Sequence, residues 1–407
     1  MRTVAIICEY NPFHSGHEYQ INEIRREFGS DTCIIALMSG NFTQRGEIAM
    51  ADKLVRARAA VDSGVNLCLE LPFPFSMSCA ELFALSAVRI LNSLRSVDYL
   101  SFGSECGDIG LLEYTADALM SEEYESNLAE LIGNKNEDAS GYPKLCEMAL
   151  KKVIGEGKEY AMLTPNNILA LEYIKALRIT KSSISAHTIK RRGADYNDDT
   201  FTHPEHKSAT AIRSALCFGD KTALEYMPNS SSFAISDAIE RGEAPCDESA
   251  LSSAVISFFR LNPTPTNESI HDVGGGLYNR LKAKSFEANT IKNLVQLTET
   301  KKYTSARIRR AIWYSFFGVT SSEIKESPAY TSLLATDGIG RLELKKIKKS
   351  TDFPVITKPS AIADLDDVAL RQKMTSDKAD SIFQLTKPSA PNGNFSLTAS
   401  PYVKDRD

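Results

Sequence analysis

The sequence predicts an α/β protein: a doubly wound, mostly parallel sheet followed by a mainly α-helical domain. Two observations carry this. In the first hundred residues, short apolar runs alternate with helical patterns, as βαβ units require. From about residue 221 to 350 the patterns are helical only.

Element by element, "TVAIICEY" (3–10) is the first strand, and residues 15–28 carry helical periodicity. "TCIIALMS" (32–39) is the second strand. Residues 50–64 form a helix with Gly64 as its stop. "VNLCLELP" (65–72) is a third strand, residues 79–94 an amphipathic helix, and "VDYLSFGSE" (97–105) a fourth strand. Residues 110–160 are helical and polar, and 166–177 form another amphipathic helix. A strand and a basic turn occupy 183–198, and a helix begins at 208. The first domain is therefore placed at 1–220, the helical one at 221–350. Residues 351–407, with five prolines and weak periodicity, read as a loosely packed tail with one short helix near 376–385.

The composition, 43% apolar and 24% charged over 407 residues, suits a globular chain with a sizeable core. The eight cysteines form no CxxC pair and read as buried thiols of a reducing compartment. No leader pattern and no membrane-length apolar run is present, so the expected location is the cytoplasm. Nothing in the sequence implies a protein partner. Net charge is −5, yet residues 270–350 hold fifteen Lys/Arg against seven acids. That contrast is the footprint of a polyanion-binding surface. Arg307 and Arg310 share a helix face within it.

The first strand runs into "NPFHSGH", which puts His14 and His17 three positions apart at a helix start, with Gly16 between them. Such an end has unpaired N–H groups and a positive dipole, which favour phosphate. Imidazoles add donors, and Gly16 removes a side chain where a base can approach. The rival readings are a structural helix start, or a zinc site with Glu9 or Cys8 that lacks a third ligand. Further on, "KSATAIRSAL" carries Ser208, Thr210 and Arg213 at another helix start, readable as an N-cap or a phosphate contact. "SGNFTQRGE" follows the second strand; its Asn41, Thr43, Gln44 and Arg45 fit a small carboxylate, a base, an RNA phosphate or a plain polar loop. Glu105 reads as a base near a substrate amine, or as a cap or ion-pair partner.

The HxGH and "SATAIR" strings resemble the HIGH-type nucleotidyltransferases, which implies a Rossmann-like catalytic domain. The longer series "EYNPFHSGH", "SGNFTQRGE", "ELPFPFSMSCAELFALSAV", "FGSE", "PNNILALEYIKAL", "IKRRGADYND", "SATAIR" and "YTSARIRRA" resembles the tRNA(Met) cytidine acetate ligases over residues 1 to about 350. That resemblance implies a ligase that makes acetyl-adenylate from ATP and acetate. It then acetylates N4 of the wobble cytidine of elongator tRNA(Met). His14 and His17 would be catalytic. The ATP site would comprise Ile7, Cys8, Glu9, Tyr10, Asn11, Pro12, Phe13, His14, Ser15, Gly16, His17, Glu18, Tyr19 and Gln20, together with Gly103. Asn166 or Asn167, Arg191 or Arg192, and Ser208 and Arg213 complete it. Arg45, Arg307 and Arg310 are candidates for tRNA. Mg²⁺ is the expected companion of the triphosphate, with no metal site in the protein itself. The rivals are a small-molecule adenylyltransferase or amide ligase on the same fold, and a non-catalytic RNA-binding protein.

Overall fold

The computed structural model describes residues 1–133, 142–155, 159–161, 163–191, 208–263, 269–389 and 393–404. Its centre is an eight-stranded sheet: β1 (Thr3–Cys8), β2 (Cys33–Ser39), β3 (Leu67–Leu71), β4 (Tyr99–Ser104), β5 (Ser185–Lys190), β6 (Thr331–Thr336), β7 (Val355–Ile356) and β8 (Tyr402–Val403). The spatial order is β5-β4-β1-β2-β3-β6-β7, with β8 paired to β6. The first five strands are parallel.

The chain winds from β1 outward to β3, then crosses back to β4 on the other side of β1. The β1–β4 seam is thus the switch point, where a crevice opens beyond the strand ends. The register shows the opening begin. β1 pairs with β2 over six rungs, but with β4 only at Val4–Tyr99 and Ala5–Leu100. Helices Ala80–Leu94 and Pro165–Ile179 cover one face through Phe83, Val88, Leu91, Leu171 and Ile174. Ser15–Phe28 and Lys53–Asp62 contribute Ile21, Ile24, Ala57 and Val61 to a second core with β1 and β2.

Two expectations about the C-terminal part are corrected. Residues 331–336, read as part of the helical domain, are β6, antiparallel to β3 and buried throughout. Its six residues lack the length for a helical period to oppose a strand reading, and burial on both faces erases alternation. The segment read as a loose tail holds a 17-residue helix, Asp367–Phe383. Its buried positions include Gln372, Lys373, Ser376 and Asp380, so no apolar stripe marks it. Asp380 accepts from Asn41 Nδ2 at 2.9 Å and from Lys53 Nζ at 2.5 Å, while Lys53 also holds Glu70 at 2.6 Å. Burial, opposed by Lys53, pushes the Asp380 carboxyl up to about 6.

The helical part is docked on the sheet domain. Ser231 Oγ donates to Phe13 O at 2.8 Å, and Trp313 Nε1 to Gly46 O at 2.9 Å. Cys217 is exposed, against the reading of the cysteines as buried thiols. Among the described residues, no helix is long and apolar enough to cross a membrane.

Candidate functional site

β1 ends at Cys8, and Tyr10 turns the chain with a φ of 45° before a cis Asn11–Pro12 bond. Asn11 secures this turn: its Oδ1 accepts from Met50 N at 2.9 Å and its carbonyl from Arg213 Nη1 at 2.8 Å. Phe13 is fully buried, which fixes the entry into the helix Ser15–Phe28.

The HxGH spacing then has a local explanation. His14 is the N-cap, and its Nδ1 accepts from Gly16 N at 3.0 Å. His17 reaches back, its Nδ1 accepting from His14 N at 3.2 Å. The result is a capping box made of imidazoles, with ring centroids 3.9 Å apart. A Cβ on residue 16 would meet His14 Cε1 at 2.8 Å, so glycine is required under the folded-back ring. A ring nitrogen that accepts an N–H carries no proton. The pattern therefore assigns both rings as neutral, with the proton on Nε2. Burial, then His14 and Arg191, hold His17 well below the usual imidazole value.

These rings line a cavity of about 530 Å³ at the switch point, within the range of nucleotide-sized pockets. Of the expected nucleotide residues, Ile7, Cys8, Glu9, Tyr10, Asn11, His14, Gly16, His17, Gln20, Gly103, Asn166, Arg191, Ser208 and Arg213 line it. Pro12, Phe13, Ser15, Glu18, Tyr19 and Asn167 do not; Arg192 lies outside the described residues. Ser208 N-caps the helix Ala209–Cys217, its Oγ accepting from Ala211 N at 3.1 Å. Arg213 holds Thr210 Oγ1 at 3.2 Å and Glu47 Oε2 at 3.4 Å.

The asparagine pair divides its work. Asn166 is on the cavity wall. Asn167 is buried, and its Oδ1 accepts from Glu105 N at 2.9 Å and Cys106 N at 3.3 Å. In return, the Glu105 carboxylate accepts from Asn166 N, Asn166 Nδ2 and Asn167 N at 3.0, 2.7 and 2.7 Å. Both oxygens are spent on the start of the helix Pro165–Ile179, and Glu105 does not line the cavity. Its reading as a base gives way to that of a cap. Burial pushes Glu105 up, but the Asn166 hydrogen bonds outweigh it and hold the carboxyl below its usual range.

The loop after β2 contributes Thr43, Gln44, Arg45 and Glu47 to the wall. Gln44 N donates to Glu9 Oε1 at 2.8 Å. Asn41 lies behind, on Asp380 and on Lys53 N (2.8 Å), and is not part of the wall. Gly46, with φ 77°, packs so close to the helix Ser305–Phe317 that a Cβ would meet Arg310 N at 2.7 Å.

Arg45 is exposed and Arg310 is part of the wall, but Arg307 is not. Arg310 Nε donates to Asp272 Oδ2 at 2.9 Å, and Arg307 pairs with the same carboxylate at 3.5 Å. Much of the positive charge of 270–350 is likewise engaged. Arg280 holds Thr298 O, Lys282 holds Asn262 O, and Arg309 holds Glu248. Among the described residues, no three His, Cys, Asp or Glu side chains group as metal ligands.

Sequence reasoning missed Arg56 and the aromatic wall. Arg56 is fully buried and donates to the carbonyls of Glu9, Ser39, Gly40 and Ala51, at 2.5, 3.2, 2.6 and 3.0 Å. It ties the ends of β1 and β2 together from the helix Lys53–Asp62. Phe83, Phe102 and Tyr173 line the cavity from core helices and β4, where their pattern is that of any apolar face.

A family model described as HIGH Nucleotidyl Transferase matches residues 1–395. A protein of Acetivibrio thermocellus named tRNA(Met) cytidine acetate ligase is 36% identical over 388 residues, 92% of each chain. One of the same name from Caldanaerobacter subterraneus subsp. tengcongensis is 38% identical over 364 residues, 88% of this chain and 89% of its own. Crystal structures of Thermotoga maritima TmcAL match over the full length of both chains. The apo form I superposes with a TM-score of 0.92 at 30% identity, and the form bound with alpha-thio ATP with 0.89 at 28%.

Proposed function

The chain belongs to the HIGH nucleotidyl transferase family and to the tRNA(Met) cytidine acetate ligases, and from that premise we propose that it activates acetate with ATP and acetylates N4 of the wobble cytidine of elongator tRNA(Met). The observation that carries the reading is the imidazole capping box, held in its neutral, Nε2-protonated form on the wall of the switch-point cavity.

Acetate alone is too poor an electrophile for an amide, and cytosine N4 too poor a nucleophile. In the first step an acetate oxygen attacks the α-phosphorus of ATP, the bond to pyrophosphate breaks, and acetyl-adenylate forms. His14 and His17 donate Nε2–H bonds to the α-phosphate as its charge redistributes. Because the rings are already fixed by the helix start, they need no reorganisation at that moment. Arg191 and Arg213 neutralise the departing pyrophosphate. Gly103 keeps the floor low beneath Arg191, whose Cγ would meet a Cβ there at 3.2 Å. Mg²⁺ bound to the triphosphate would supply further neutralisation of the departing pyrophosphate beside Arg191 and Arg213. At the rim, Arg45 meets the tRNA backbone; Arg307 and Arg310 reach a phosphate only by sharing Asp272.

The test is to incubate the chain with ATP, labelled acetate and total tRNA, then digest the RNA. ATP-dependent label in N4-acetylcytidine, without acetyl-CoA, is the expected result. Pyrophosphate release on small acceptors with no RNA label would replace this reading by a small-molecule adenylyltransferase. Salt-sensitive RNA retention with neither activity would make the chain an RNA binder.

A further inference from the structure

Acyl transfer needs an acceptor for the N4 proton, and we propose that Glu9 is that acceptor. The proposal rests on the reading of the reaction given above. The described cavity wall carries two imidazoles and two carboxylates, Glu9 and Glu47. The imidazoles are excluded by their bonding, since each Nδ1 is occupied by a backbone N–H and each Nε2 carries the ring proton. Glu105, the other glutamate at a strand end, has spent both oxygens and stands off the wall. Glu47 is at the rim, with its side chain 42% exposed and paired with Arg213.

Glu9 differs from each of these. It follows the last residue of β1, on the same strand end as the imidazoles. Gln44 N holds its Oε1 at 2.8 Å, and Arg56 holds its carbonyl. Arg56 thus anchors the backbone and Gln44 N one carboxylate oxygen, at the seam between the nucleotide wall and the loop after β2. The charged and titratable groups around it are Cys8 on its own strand, Glu47 on the loop, Arg56, Tyr173 and Arg213. Burial raises its pKa against the lowering effects of Gln44 N and Arg213, which moves it toward the range that suits a base near neutral pH.

The step balances as follows. N4 attacks the acetyl carbonyl carbon and the C–N bond forms. The bond from that carbon to the AMP oxygen breaks, and AMP leaves. The proton on N4 passes to the Glu9 carboxylate, which returns it to solvent.

The test compares two half-reactions of the full chain. One is acetate-dependent ATP–pyrophosphate exchange without tRNA; the other is single-turnover transfer of labelled acetyl to total tRNA. Glu9→Gln keeps an oxygen for Gln44 N–H but cannot take a proton. Its transfer rate is expected to fall by about 10²-fold or more, at least roughly tenfold further than exchange falls. In the wild-type chain, transfer should rise with pH through a pKa above the ordinary glutamate value of about 4.3, and this acid limb should be absent from Glu9→Gln. Equal losses in both half-reactions, or undiminished transfer, would overturn the proposal. If Glu9→Gln does not fold, the wild-type profiles decide: a limb in transfer but not in exchange supports Glu9, and a flat transfer profile refutes it. Absence of both wild-type activities would remove the underlying reading itself, whereas normal transfer by Glu9→Gln would sink only the role of Glu9.

Discussion

At the end of β1, Glu9 follows the last strand residue, Cys8; at the end of β4, Glu105 follows Ser104. Both strands border the switch point, and each lip carries a glycine, Gly16 or Gly103, near a cationic or imidazole group. The Glu105 carboxylate takes three hydrogen bonds from one helix start. Glu9 takes one, from a loop that also lines the cavity. Their acidities accordingly move in opposite directions, Glu9 up and Glu105 down. A saturated carboxylate serves as a structural fastening, and an under-saturated one in a cleft remains open to chemistry. The same distinction applies to helix starts. On the β4 side the N–H groups of Asn166 and Asn167 are already answered by a charge, so that terminus offers no anion site. On the β1 side the N–H groups of His14 and Gly16 are answered by neutral rings, and the one carboxylate of the first turn, Glu18, is not part of the cavity wall.

The largest expected effect lies on the β1 lip. His14→Ala and His17→Ala should each lower acetate-dependent ATP–pyrophosphate exchange by about 10²–10³-fold, the usual loss for one preorganised donor to a developing charge. Retention of tRNA on a filter should be little affected. A parallel loss of tRNA retention would show that nucleotide binding and tRNA binding are not functionally separate.

The two glycines sharpen the contrast. Gly16→Ala puts a Cβ 2.8 Å from His14 Cε1, and that ring is tied at Nδ1. Exchange should drop about 10–100-fold, of the order expected when a misplaced group disturbs alignment. Gly103→Ala meets only the flexible stem of Arg191, at 3.2 Å. A rise of about 2–5-fold in KM for ATP is expected, about 1 kcal/mol at most. Equal effects from the two substitutions would mean that the rings yield as easily as the arginine does.

What the sequence made legible follows the same division. The mostly parallel sheet and the β1 junction were readable because apolar runs, Asn-Pro and HxGH are local signals. The capping-box geometry was not, since His is rarely read as a cap. Nor was the split between Asn166 and Asn167: both side chains bond Glu105, but only Asn166 also lines the cavity, while Asn167 is buried on the Glu105 and Cys106 amides. Arg56 lay hidden because a buried guanidinium on carbonyls leaves no partner in sequence. The helix Asp367–Phe383 was obscured because its inner face is polar, and Asp380 makes sense only once Lys53 and Glu70 are beside it.

The smallest effect tests Glu105 as pure structure. Glu105→Gln keeps an acceptor but removes the charge at the helix start, and should cost about 0.5–1 kcal/mol at pH 7. The sign with pH is fixed by the direction of the shift. Glu105 is held below its unfolded value of about 4.3. Its contribution to stability is therefore complete above that value and is lost as pH falls through the lower folded one. Thermal unfolding of wild type and Glu105→Gln, followed from pH 7 downward, should show a Tm gap that narrows below about pH 4. Glu9 works the other way. With its folded pKa raised, its contribution is largest below the unfolded value and declines as pH rises through the folded one. A Glu9→Gln gap, measured in the same way, should widen in the stabilising direction toward neutral pH. Two glutamates, each one residue beyond a strand, would then have stability differences of opposite slope, and parallel slopes would refute their division into a fastening and a working group.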